Sequence, residues 1–105
     1  MNSVCLIGRL VRSPELKYTQ NGDAVAEFSI AVDRKGKSDE ADFFDVTAWR
    51  GQAESVASNL TKGRLVGVTG YLRQDKWQNA EGQNRSKVCI TAHQVDFLDW
   101  PGDER

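Results

Sequence analysis

The sequence predicts an all-β domain interrupted by one short helix. Apolar and polar residues alternate with period two through residues 24–33, 42–50 and 65–77, as in strands with one buried face. Only residues 52–60 carry a helical stripe, with Ala53, Val56, Ala57 and Leu60 at i, i+3, i+4 and i+7. Turn-forming pairs, Asn21-Gly22 and Glu81-Gly82, separate the periodic runs.

Residues 2–12 are rich in β-formers and stop at Ser13-Pro14, where proline cannot donate to a ladder. They read as the first strand. Residues 16–18 are a short extended piece. The chain then turns at Asn21-Gly22, since both residues tolerate positive φ. In 24–33, Ala26, Phe28, Ile30 and Val32 share one face; Glu27, Ser29 and Ala31 share the other. Residues 34–41 are charged throughout their centre and read as a loop. In 42–50, Phe44, Val46 and Ala48 form one face, and Phe43, Asp45, Thr47 and Trp49 the other. After the helix, Gly63 stands where a left-handed C-terminal cap is expected. Residues 65–77 form a long strand with Val66, Val68, Gly70 and Leu72 inward. A hairpin loop at 78–84 leads to a last strand, 86–98, with Val88, Ile90 and Ala92 on one face. Three strands, a helix between the third and fourth, then two strands is the order of an OB-fold, a five-stranded Greek-key barrel. Periodicity alone leaves a β-sandwich open.

The length of 105 residues fits one domain, over residues 1–98, followed by a short acidic tail at 99–105. Charge is graded along the chain. Residues 1–90 hold 13 Lys/Arg and 11 Asp/Glu; residues 91–105 hold one Arg and four Asp/Glu. The overall charge of −1 argues weakly against a nucleic-acid partner. A local groove can still be basic, because binding follows the field at the site. No window approaches the ~18 apolar residues of a membrane helix. The first residues lack the basic start of a signal peptide, so a cytosolic protein is expected. Cys5 and Cys89 have no CxxC or metal spacing and read as small buried hydrophobes. No P-loop or dinucleotide fingerprint is present, and His93 is the single histidine. No cofactor or metal is implied. An enzyme would have to be a metal-dependent nuclease built on Asp39, Glu40 and Asp42 with Arg34, carboxylates on a loop that nothing rigid fixes.

The functional signal is aromatic. Phe43 and Trp49 lie on the strand face opposite the apolar one, and Trp77 ends another strand beside Arg73 and Lys76. Tyr71 shares Arg73's parity. Aromatics interleaved with cations suit a groove for single-stranded nucleic acid. Every base has a π-face, and stacking contributes about 1–3 kcal/mol per base without reading sequence. Arginine and lysine track the phosphates and make affinity salt-dependent. The competing reading covers Phe43 and Trp49 with a loop, the tail or another subunit. Arg9, Arg34 and Lys35 join the basic candidates by charge and location, although Asp33, Asp39, Glu40 and Asp42 offer to neutralise Arg34 and Lys35.

An ordered set of motifs runs along the chain. The set begins with Val4-Cys5-Leu6-Ile7-Gly8-Arg9-Leu10, Pro14-Glu15-Leu16-Lys17-Tyr18 and Asn21-Gly22-Asp23-Ala24-Val25-Ala26. It continues through Phe43 to Trp49, Ala53-Glu54 to Leu60 and Lys62-Gly63. Val68-Thr69-Gly70-Tyr71-Leu72-Arg73, Lys76-Trp77, Gly82-Gln83 and Val95-Asp96-Phe97-Leu98 complete it. In this order the motifs resemble those of bacterial single-stranded-DNA-binding proteins, over about residues 2–98. The resemblance implies an OB-fold, usually a homotetramer, that wraps and protects single-stranded DNA in replication, recombination and repair without catalysis. It places stacking on Phe43, Trp49 and Trp77, and phosphate contacts on Lys62, Arg73 and Lys76. The alternative is a primosomal OB protein that acts mainly through protein contacts.

Three departures from the family pattern stand out. Lys35-Gly36-Lys37 occupies a short connection where many relatives carry another stacking tryptophan. Asp45 and Asp75 lie on or near the expected DNA face, where relatives often have cations. Residues 99–105 show no long linker and no acidic Pro-Phe tip, which puts recruitment of replication and repair enzymes in doubt. Trp100 is expected to pack on the barrel.

Overall fold

Strand and helix boundaries come from a computed structural model, which describes residues 1–99 apart from the side chains of Lys37 and Ser38. The order is β1 (Val4–Leu10), β2 (Glu15–Tyr18), β3 (Ala24–Arg34), β4 (Lys37–Trp49), α1 (Arg50–Asn59), β5 (Leu65–Gln78) and β6 (Asn84–Phe97). Five strands close a ring in the order β1-β5-β6-β4-β3, with β1 returning to β3 at Arg9↔Ala31 and Leu10↔Ile30. The β4–β6 seam is parallel, at Val46↔Ile90 and Thr47↔Thr91; the other pairs are antiparallel. This is the expected OB barrel, with α1 between its third and fourth strands. The short extended piece at 16–18 is β2, which pairs with β3 from Glu15↔Glu27 to Tyr18↔Ala24.

The alternating residues fill the barrel. Phe28, Ile30, Val46, Val66, Val68 and Ile90 are buried there, and α1 adds Ala53, Val56 and Leu60. The apolar period of two on the strands and the stripe on α1 therefore meet in one core. Gly8 lets β1 reach β3 at the closure, since a Cβ would stand 2.6 Å from the Ala31 carbonyl oxygen. In β6 the register shifts opposite Thr69/Gly70, and His93 is the extra residue. The bulge switches the core parity from Ile90 and Ala92 to Val95 and Phe97. Gln52 of α1 braces it. Its Nε2 donates to the His93 carbonyl at 2.7 Å, and its Oε1 accepts from Val95 N–H.

Several expectations need correction. Most of residues 34–41 is hairpin, not loop: β3 and β4 pair to Asp33↔Ala41, shift to Arg34↔Lys37, and turn over Lys35 and Gly36 (φ 79°). A two-stranded ribbon in solvent needs no apolar face, so alternation was silent there. Gly63 does not cap α1. Leu60 ends the helix in an extended conformation, and Gly63 (φ 88°) shapes the next turn, its N–H bonded to the Leu10 carbonyl. Leu72 and Val88 have inward parity but are exposed, because beyond Ile90 strands β5 and β6 pair only with each other as an arm. Cys89 is buried, whereas Cys5 faces outward between the half-buried Val4 and Leu6.

Candidate nucleic-acid interface

The outer surface of β3, β4, β6 and β5 is a continuous sheet, and its residues follow from register. Ser29 faces Asp45 and Glu27 faces Thr47; Tyr71 faces Thr91, Arg73 faces Cys89, Asp75 faces Lys87 and Trp77 faces Arg85. Phe43 lies midway along β4 and Trp49 at its end, on the same face. They are six positions apart, about 20 Å at the rise of a strand. Trp77 sits on the β5–β6 arm. All three rings are exposed: Phe43 by 67%, Trp49 by 42% and Trp77 by 48%. No described loop covers them. Tyr71 is half-buried and tilted against His93, with ring centroids 5.2 Å apart.

Between the aromatics lies a groove enclosing about 150 Å³. Arg73 crosses its floor. Its Nη1 donates to Thr91 Oγ1 at 2.7 Å, and its Nε donates to Asp75 Oδ1 at 2.9 Å. Asp45 accepts from Ser29 Oγ at 2.5 Å and pairs with Lys87. These bonds hold both carboxyls below the usual carboxylate range, Asp45 through Lys87 and then Ser29, Asp75 through Arg73. Burial pushes the Cys89 thiol up, and the neighbouring Asp75 adds to the effect. Arg12 and Lys87 line this groove. Both are among the many basic residues the sequence offers, and Lys87 shares the parity of Cys89 and Arg85 on β6.

The remaining candidates are dispersed. Lys76 borders the same hollow at the arm's end as Trp77 and Arg85. Arg34 lies on the β3–β4 hairpin, locked to Asp42 at 2.6 Å and Glu40 at 3.8 Å; Lys35 is exposed at its turn. Arg9 is on β1, across the ring from the β4–β6 seam, where it donates to the Gly63 carbonyl at 3.0 Å. Lys62, exposed on the turn after α1, is beside that contact. The structure thus brings Phe43, Trp49, Tyr71, Arg73 and Trp77 onto one surface; Arg9, opposite Ala31 and so two strands from Phe43, sits at its edge, and Lys62 lies away from it. Among the described residues no three His, Cys, Asp or Glu converge as cation ligands, and the imagined nuclease carboxylates Glu40 and Asp42 face Arg34 instead.

An OB barrel with exposed aromatics on its sheet invites comparison with known proteins. The model of the single-strand binding protein family matches residues 1–98. The chain belongs to that family. Among its members, a single-stranded DNA-binding protein of Treponema pallidum is 47% identical over 103 residues, covering 93% of this chain and 58% of the relative. Single-stranded DNA-binding protein 3 of Clostridium acetobutylicum is 45% identical over 104 residues, covering 95% and 72%. Single-stranded DNA-binding protein A of Bacillus subtilis is 45% identical over 103 residues, covering 94% and 60%. The chain therefore spans only about three-fifths of the Treponema and Bacillus family members. Among the described residues no helix is long and apolar enough to cross a membrane. The family match takes in both aromatic strands and the arm; residues 100–105, including Trp100 and most of the expected acidic tail, lie outside the described residues.

Proposed function

We propose that this chain binds single-stranded DNA without reading its sequence, stacking bases on Phe43, Trp49 and Trp77. The exposure of these three rings on one sheet surface, with cations between them, carries the reading, because that combination is what a groove for stacked bases and their phosphates presents. Arg73, with Tyr71 beside it on β5, lies between the rings; Lys76 lies at the arm's end. Both cations are placed to meet phosphates, and Arg34 and Lys35 on the hairpin extend the path beside Phe43. Arg9 borders the path two strands from Phe43, and Lys62 would be reached only by a strand that wraps round the barrel. The chain acts by binding and protecting the strand, not by catalysis, in the replication, recombination and repair of cytoplasmic DNA.

A homotetramer is part of the same proposal. Ile7 and Leu98 are exposed and flank Gly67 on the barrel wall away from the aromatics, an apolar surface that a second copy would cover. Light scattering tests this, a mass of one 11.7 kDa chain being the contrary result.

The stacking assignment is tested by Trp49→Ala and Trp77→Ala with a labelled oligo-dT. Each variant should lose about 1–3 kcal/mol of binding, roughly 5- to 150-fold in affinity, with its melting temperature little changed. Unaltered affinity in both would remove the two tryptophans from the interface.

A further inference from the structure

The groove between the aromatics holds carboxylates as well as cations. Arg12, Arg73 and Lys87 line it together with Glu27, Asp45 and Asp75. Two of its cations are already engaged. Lys87 pairs with one oxygen of Asp45, whose other oxygen accepts from Ser29. Arg73 grips Asp75 at two points, Nε to Oδ1 at 2.9 Å and Nη2 to Oδ2 at 3.3 Å. Glu27 is held by Lys17, at 3.2 Å. The Arg73–Asp75 and Lys87–Asp45 side chains remain a third to a half exposed, so an incoming group can reach them.

A phosphate presents anionic oxygens to the same N–H donors that a carboxylate satisfies. We propose that Asp45 and Asp75 are internal stand-ins for DNA phosphates, holding Lys87 and Arg73 until a bound strand displaces them. The proposal rests on the single-stranded-DNA reading above. Its energetic content is an exchange. A lysine or arginine that neutralises a phosphate releases the counterion condensed on the DNA there, whereas a carboxylate freed by the exchange takes up a cation in turn and offsets that release. Binding must also break the first ion pair before forming the second. The groove therefore binds less tightly, and with a shallower salt dependence, than its cations alone would give. The carboxylates also keep Lys87 and Arg73 oriented across the sheet in the absence of DNA.

The test measures affinity for fluorescein-labelled oligo-dT against salt. It uses the wild-type chain, Asp45→Asn, Asp75→Asn, Lys87→Ala, and Asp45→Asn combined with Lys87→Ala. Asp45→Asn and Asp75→Asn should each bind several-fold more tightly at low salt, with the log–log salt slope steeper by about 0.7 per freed cation. The gain from Asp45→Asn should largely vanish in the Lys87→Ala background, because the carboxylate acts through that lysine. An undiminished gain without Lys87 would mean simple charge repulsion and would overturn the exchange. So would unchanged affinity and slope in the Asn variants. Asparagine keeps an acceptor for Ser29, and Asp75→Asn tests the same idea independently should Asp45→Asn fail to fold. A wild-type chain that does not bind oligo-dT would refute the binding reading itself, and the exchange with it. Normal wild-type binding without any gain in the variants would overturn the exchange alone.

Discussion

Gly70 has no room for a side chain. A Cβ there would stand 2.0 Å from the Thr91 carbonyl oxygen and 2.9 Å from its carbon, both backbone atoms. The cause is the bulge in β6, which brings its backbone against β5 at this register. Gly70→Ala must push two central strands apart, so it should destabilise the fold by about 1–3 kcal/mol or more. Chemical denaturation measures this, and an unchanged midpoint would show that the strands part freely. In the sequence Gly70 looks like one more inward position of a strand, and nothing local marks it as special. The bulge did leave a trace, in the switch from even to odd apolar positions between Ala92 and Val95. Single aromatics were more legible. Phe43 and Trp49 broke the polar face of their own strand, and a large ring on a polar face is visible without any tertiary information. The groove cations were less so. Lys87 is one lysine among many until Asp45 and Asp75 are placed beside it by strands far apart in sequence.

At the level of elements, the strands with one buried face and the stripe of α1 were readable because burial imposes a period. Where an element has no buried face, the period disappears. The β3–β4 hairpin, the far half of the β5–β6 arm and β2 pair through backbone bonds and polar side chains such as Arg34–Asp42 and Lys17–Glu27, with no apolar face to bury, and so show no period. The end of β6 is fixed electrostatically. Arg64, mostly buried, donates from Nε to Asp99 Oδ1 at 2.8 Å, and the Leu65 N–H reaches the same oxygen at 3.2 Å. Arg64, with help from the Leu65 N–H and Arg9, holds the Asp99 carboxyl below its usual range. A carboxyl depressed in the folded state stabilises the fold above the ordinary value of ~3.9 and loses that contribution as pH falls through its folded value. Asp99→Asn should therefore melt below the wild-type chain at neutral pH, and the gap should close well below pH ~4. Thermal melts across that range decide it; a gap independent of pH would mean that Asp99 acts by shape and not by charge.

The whole molecule carries a charge of −1, although the proposed partner is a polyanion. Its acidic residues are not spread evenly. Asp99 is tied to Arg64 and Arg9 on one wall, Glu40 and Asp42 to Arg34 on the hairpin, and Asp45 and Asp75 to the groove cations. With so many cations internally paired, the proposed binding would draw more on stacking than on the field. The barrel makes this possible. It closes its core with one face of each strand and leaves the other faces of β4 and β5 to hold aromatics about a strand's length apart. The decisive measurement is intrinsic tryptophan fluorescence during titration with oligo-dT, at low and at high salt. The proposed stacking of bases on Trp49 and Trp77, with phosphates at Arg73 and its neighbours, predicts strong, saturable quenching at low salt that weakens as salt rises. A tryptophan signal unmoved by oligo-dT at low salt would contradict it, and would mean that these rings serve a protein partner.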